Sequence, residues 1–206
     1  MDKYKNIGKP IFKNIIRLFT SLYAAWFIMS GIFLAYFWFN SIADIKRNAL
    51  TVAEVAARSL DVEAIYRLKG TPEDLGTENY ESVKNSLAHL ADSISGARFV
   101  YLLTEKENKI IIMADSEPPD SSAYSPPGQV YSEAPASFFQ FFSAETPTTS
   151  ISTVIKDRWG KWKTITVPLD NPDGSRPEIA FNVDYPTWIW YDYAVRGIGR
   201  GLFLIF

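Results

Sequence analysis

The chain of 206 residues contains no cysteine. That excludes disulfides, thiolate nucleophiles and cysteine-ligated zinc or iron–sulfur sites. It has one histidine, His89, beside Leu90 and off the apolar stripe of its segment, where a solvated surface position is expected rather than a metal ligand. Neither sign of charge dominates. The 21 Lys and Arg against 23 Asp and Glu leave a formal net charge of −2, so no nucleic-acid footprint is visible. The strings Gly-x-Ser-x-Gly and His-Glu-x-x-His and the phosphate-loop motif are all missing, and nothing in the chain points to catalysis or to a cofactor.

What is present begins with a run of 22 residues, Leu18 to Phe39, without one charged side chain. At about 1.5 Å rise per residue a helix of this length covers a hydrocarbon core of about 30 Å. Tyr23, Trp26, Tyr36 and Trp38 lie within it, some near its ends, where amphipathic rings suit the membrane interface. Lys3, Lys5, Lys9, Lys13 and Arg17 precede the run against a single acid, Asp2. Positive flanks stay on the cytoplasmic side, so residues 1–17 are expected inside, 18–40 across the membrane, and the remainder outside. A cleaved signal peptide fits less well, because the run exceeds the roughly 7–15 apolar residues of a signal and no small-x-small site follows before Asn40.

Near the C-terminus Trp188, Trp190, Tyr191 and Tyr193 cluster ahead of the apolar stretch Gly201 to Phe206. Six residues cannot span a bilayer. The cluster reads as an interfacial belt at the start of a second transmembrane helix, assigned to residues 191–206 and cut short, which makes the chain the front part of a longer protein. A short interfacial helix is the other reading.

Residues 41–190 then form one domain. Ile42, Ile45, Ala49, Val52, Ala56 and Leu60 recur at steps of three and four, which places them on one face of a helix running outward from the membrane and on toward Leu68. This stripe either pairs with a second copy, giving a homodimer, or packs on its own domain. Gly70-Thr71-Pro72 breaks the helix, with Thr71 as N-cap. A second helix spans about Glu78 to Ser93, with Tyr80, Val83, Leu87, Leu90 and Ile94 on one face. The pattern next switches to strands. Runs 98–104 and 109–115 form a hairpin about the polar turn Glu105–Asn108; Ser116–Gly128 is a proline-rich loop; Ser132–Ser143 is a short helix carrying four phenylalanines. Strands are expected at 150–156, 161–169 and 178–184. Helices grouped mainly before strands argue for an α+β fold with an antiparallel sheet, because parallel units would need helices between most strands. Asp115, Glu117 and Asp120 are acidic enough to consider for calcium, but their spacing is loose. Asp170–Ser175 imitates the start of an EF-hand loop whose twelfth position, Phe181, carries no carboxylate, so it reads as a turn.

Several strings go further. Leu68-Lys69-Gly70-Thr71-Pro72-Glu73-Asp74-Leu75, Ala97 to Leu102, Asp115-Ser116-Glu117-Pro118, Tyr124 to Tyr131, Asp157-Arg158-Trp159-Gly160-Lys161-Trp162 and Phe181 to Tyr185 together resemble the extracytoplasmic PAS-like sensor domain of the Cache type. Such domains occur in bacterial membrane receptors, attached to histidine kinases and diguanylate cyclases. The resemblance implies a five-stranded antiparallel sheet with a long N-terminal helix, flanked by two membrane helices, in the cytoplasmic membrane. It also implies a ligand-sensing input region with no enzymatic activity of its own. The partner would be a small molecule or a periplasmic protein. A membrane-tethered binding or scaffold protein without an output domain is the alternative. By this resemblance Arg98, Tyr101, Asp115, Tyr124, Tyr131 and Asp184 lie at strand ends or in the covering loop, where they would meet a ligand. Trp159 and Trp162 are candidates for the same wall, or else for turn and core packing.

Overall fold

The computed structural model describes residues 8–203. Residues 1–7 of the expected cytoplasmic tail, with Lys3 and Lys5, lie outside the described residues, as do the last three residues of the expected second membrane helix. The chain divides into two units, each described by itself. One combines the N-terminal residues up to Ala43 with those from Tyr193 onward; the other is Asp44–Asp192.

The uncharged run is helical throughout, inside α1, Gly8–Arg58. The segment from Phe12 is long and apolar enough to cross a membrane. Its large side chains, among them Phe19, Leu22, Tyr23, Trp26, Phe27 and Ile32, stand exposed, as a lipid-facing helix requires. The aromatic cluster near the C-terminus opens α5, Thr187–Phe203. Trp188 and Tyr191 are exposed, whereas Trp190 is buried edge-on against Tyr185.

In the second unit α1 ends at Arg58, earlier than the apolar spacing suggests. The Asp61 carboxylate accepts the Ala64 amide at 2.9 Å and starts a separate helix, α2, Val62–Tyr66. An aspartate that can cap a new first turn competes with continuation of the old helix. A 3-10 turn, Pro72–Asp74, follows Thr71, and α3 occupies Glu78–Ser93 as its periodicity predicts. The stripe on α1 serves its own domain. Ala53, Ala56, Ala57 and Leu60 are buried, and Ile45, Ala49 and Leu50 pack against the same core, leaving Val52 and Val55 exposed.

The sheet is antiparallel and has seven strands where five were expected. They are β1 Phe99–Lys106, β2 Lys109–Asp115, β3 Gln129–Val130, β4 Ser150–Ile151, β5 Ile155–Asp157, β6 Gly160–Leu169 and β7 Ile179–Pro186, in the order β3-β2-β1-β7-β6-β4 with β5 also on β6. The two extra strands arise because the run 150–156 bends into two short pieces that both pair with β6, and because Gln129 and Val130, just past the proline-rich loop, add to the free edge of β2. Four long strands, β2-β1-β7-β6, form the centre. β1, β2 and β7 are buried almost continuously along their length, which is the mark of a sheet covered on both faces.

One face packs on the helices. Val100, Leu102, Ile165, Phe181 and Val183 meet Ala53, Ile65, Tyr80 and Leu87 there. The other face presents Tyr101, Leu103, Ile110, Ile112 and Ala180 to Tyr131 and to Phe138, Phe141 and Phe142 of α4, Ala136–Ser143. Between Leu102 and Leu103 the register slips: their partners are Ala114 and Ile112, leaving Met113 extra. This bulge shifts the pleat by one, so that Asp115 stands opposite Tyr101 rather than one step out of phase with it.

The loop Ser116–Gly128 lies as a lid at the sheet's second face and is tied to the helical layer. At Gly128 the backbone has φ +88°, and a Cβ would come within 2.8 Å of Pro72 Cδ, so glycine alone permits the approach. Tyr124 and Tyr80 share a hydrogen bond between hydroxyls at 3.2 Å.

Candidate functional site

The lid, the start of β1, the β5–β6 turn and the ends of β2 and β7 line a partly open cavity on the second face of the sheet. It is lined by Phe99, Tyr101, Ile112, Asp115, Ala123, Ser125, Tyr131, Asp157, Trp159 and Asp184. Of about 370 Å³ of space within it and at its open mouth, about 30 Å³ admits the centre of a water molecule. That is room for a water or two, so a larger guest requires the lid to shift.

Asp184 is the chemical centre of this cavity. Phe99, on β1, and Thr164, on β6, flank it in register. The Thr164 hydroxyl donates to its Oδ1 at 2.5 Å and the Tyr101 hydroxyl to the same oxygen at 3.2 Å. Burial raises the Asp184 pKa to about 7 against the pull of these two donors, and the nearby Asp157 charge adds to the rise. Burial likewise raises the Tyr101 and Tyr131 hydroxyls, which stay protonated donors, with the facing carboxylates Asp184 and Asp157 adding to it.

Asp157 organises the rim. Its Oδ1 accepts the amides of Trp159 and Gly160, both at 3.0 Å, and the Trp162 indole at 2.9 Å, while Oδ2 accepts the Tyr131 hydroxyl at 2.6 Å. One carboxylate thereby joins the β5–β6 turn to the end of the lid. Outside it, Arg158 pairs with Glu133 and hydrogen-bonds Ser132. A Cβ on Gly160 would lie 2.5 Å from the Trp162 ring, which accounts for the glycine in the Trp-Gly-x-Trp string.

Asp115 is held from behind. Lys84, on α3 and buried, donates to Asp115 Oδ1 and to its carbonyl, both at 3.1 Å, and to the Glu117 carbonyl. Asp115 Oδ2 accepts the Ser125 amide at 2.6 Å, folding the lid back on the strand end. Burial raises the Asp115 pKa, and Lys84 and Ser125 offset part of that rise.

Five of the residues chosen from sequence therefore line the cavity: Tyr101, Asp115, Tyr131, Trp159 and Asp184. Three do not. Arg98 points into a separate groove beside α3 and pairs with Glu117, whose carboxyl is lowered although burial alone would raise it. Tyr124 spends its hydroxyl on Tyr80 and its ring under the Lys84 ammonium, 4.5 Å from the ring centre. Trp162 is core, edge-on to Phe99. Phe99, Ile112, Ala123, Ser125 and Asp157 were not anticipated. Asp157 had a local signal, since an aspartate two residues before Trp-Gly offers the acceptor that closes such a turn. Of the acids considered for calcium, Glu117 is engaged by Arg98 and Ser121 and Asp120 is exposed.

The two tryptophans separate into scaffold and wall. Trp159 is only partly buried and rests on Tyr131, ring centres 5.7 Å apart. Trp159→Ala is expected to cost about 1–2 kcal/mol of stability, below the roughly 3–5 kcal/mol of a core tryptophan, and to weaken ligand binding about tenfold or more. Melting curves and titrations of the variant against the parent chain check this. A loss of stability as large as that of Trp162→Ala would return Trp159 to the core.

No protein-family model matches the chain, and no curated protein matches it. Solved structures do. The ligand-binding domain of the Campylobacter jejuni chemoreceptor Tlp3 in complex with L-valine aligns at TM-score 0.55 and 16% identity over 85% of this chain and 65% of that one. The sensory domain of the same chemoreceptor with isoleucine bound aligns at TM-score 0.54 and 14% identity, with the same coverage of 85% and 65%. This chain thus spans about 65% of the length of the structures it matches. At such identities the likeness is one of fold. The α+β architecture with its antiparallel sheet is shared with these solved domains.

Proposed function

We propose that the chain is the ligand-sensing input region of a bacterial transmembrane receptor. The observation that carries this reading is a lidded cavity built around a buried carboxylate, Asp184, on a sheet whose opposite face packs on the helix that continues from the candidate membrane span. The fold is shared with sensory domains solved with L-valine and isoleucine, which supports a small-molecule ligand. In this reading residues 18–40 cross the cytoplasmic membrane, the domain of residues 41–190 faces outward in the PAS-like manner of Cache sensors, and residues from 191 begin a return helix toward a histidine kinase or diguanylate cyclase. Lid closure over a ligand shifts the populations of the helical layer by no more than the ligand's differential affinity for the two states. The exposed Val52 and Val55 on α1 support a homodimer as the signalling unit.

Two measurements test the reading. A reporter fused after Gly174 is expected to be active only outside the cytoplasm; activity of a cytoplasm-only reporter there overturns the orientation. The full chain in lipid nanodiscs is expected to melt at a higher temperature with at least one compound from a panel of amino acids and amines, and Asp184→Asn should remove that shift. A shift that survives the substitution places the ligand elsewhere.

A further inference from the structure

The cavity has one sign of charge. Three of its lining side chains, Asp115, Asp157 and Asp184, are carboxylic acids, and none is Lys, Arg or His. The cations near it face other groups. Lys84 neutralises Asp115 from the α3 side; Arg98 pairs with Glu117 in the neighbouring groove, its guanidinium 4.1 Å from the Phe99 ring centre; and Arg158 pairs with Glu133 on the outer surface, its guanidinium 5.0 Å from the Trp159 ring centre. The three acids are not equivalent. Asp115 has its counter-ion, and Asp157 already accepts four hydrogen bonds on its two oxygens. Asp184 receives both of its hydrogen bonds on Oδ1, which leaves Oδ2 for a donor within the cavity. Around it stand the rings of Phe99, Tyr101, Tyr131 and Trp159; Phe99 and Trp159 each already carry a guanidinium on one face, and an electron-rich ring face attracts a cation and repels an anion.

Resting on the sensor reading above, we propose that the ligand is a small protonated amine with a compact apolar group and no carboxylate. Its ammonium takes the place of the missing counter-ion at Asp184 and lies against the aromatic walls. A carboxylate on the same ligand would be buried beside Asp157 with no cation to meet it, and an unpaired buried charge is strongly disfavoured. The narrowness of the cavity favours a guest of a few carbon atoms over an extended polyamine.

Three compounds with one carbon skeleton decide the matter: isobutylamine, L-valine and isobutyrate. They are titrated into the full chain in nanodiscs at pH 8, with benzylamine and tetramethylammonium as further cations. Isobutylamine or another of the cations is expected to bind, and L-valine and isobutyrate on the order of 100-fold more weakly. Asp184→Asn, checked for folding by circular dichroism, is expected to abolish amine binding. Asp157→Asn tests the carboxylate exclusion from the other side: it should narrow the gap between isobutylamine and L-valine. Tighter binding of L-valine than of isobutylamine overturns the amine proposal and leaves the sensor reading standing. Binding of isobutyrate alone overturns the charge argument. If neither these cations nor any amino acid binds, the amine proposal and the small-molecule reading fall together.

Discussion

Asp184→Asn should make the unliganded protein more stable at pH 8 and deaf to its ligand. The folded-state pKa of Asp184, about 7, lies above its ordinary value of 3.8, so the folded chain holds a proton that the unfolded chain has lost. Stability is therefore unaffected below about pH 4, falls as pH rises toward 7, and is flat above it. The accumulated penalty is at most about 4 kcal/mol, the free-energy equivalent of that pKa difference. An asparagine of the same shape can still accept from Tyr101 and Thr164 without carrying the charge. The expected gain is up to about 10 °C in melting temperature at pH 8, shrinking toward zero near pH 4. Equal destabilisation at both pH values would show that ionised Asp184 is not a strained group. The groups facing it are the Tyr101 and Thr164 hydroxyls and the Asp157 carboxylate, with Tyr131 beyond. The ionisation that changes near neutrality is that of Asp184. A cationic ligand selects the ionised form, and its affinity for the parent chain should rise about tenfold per pH unit up to about 7 and then level off. A carboxyl raised this way by burial costs stability, which is the trade expected of a group kept for binding.

Lys84→Met should carry the largest cost in the domain. Lys84 and Asp115 form a buried pair, with side chains 10% and 9% exposed. Removing the cation leaves Asp115 without its partner and takes a hydrogen bond from the Asp115 carbonyl at the end of β2 and another from the Glu117 carbonyl of the lid, a loss of about 3–5 kcal/mol. Asp115 is already raised by burial and loses the offset that Lys84 provides, so the cost grows as pH rises and part of it disappears in acid. The double variant Lys84→Met, Asp115→Asn removes both charges and should recover most of the stability, although the Glu117 carbonyl remains undonated. Amide exchange at Ser125 reports the lid directly: its protection should fall in the single variant and return in the double. A single variant as stable as the double would mean that Lys84 holds the lid through the carbonyls alone.

Much of the framework was legible in the chain. The uncharged run of 22 residues, the helix Glu78–Ser93, the first hairpin and the last two strands all follow from local periodicity and turn chemistry, and all stand in the structure within a residue or two. These are short-range effects, set by neighbours three, four or two positions away. The break at Asp61 also had a local cause that the apolar spacing outweighed in reading. The site was legible only in part. Tyr131 and Asp184 could be chosen because the family resemblance places them at a strand end or in the covering loop. Arg98 could be chosen for the same reason, yet it leaves the cavity, because Glu117 reaches it from a lid whose path depends on Lys84, Tyr80 and Pro72 far away in sequence.

By itself, then, the sequence determined the apolar span, the order of helices and strands and the class of fold, since each depends on patterns that a local stretch of chain can satisfy alone. The tertiary structure decided which residues meet in the cavity. A single extra residue at Met113 sets the phase that brings Asp115 opposite Tyr101. The Asp157 hydrogen bonds assign Trp162 to the core and leave Trp159 on the wall. The desolvation that tunes Asp184 comes from strands, turn and lid closing around it together. Register, burial and charge balance are sums over distant parts of the chain, and they acquire values only when those parts are packed.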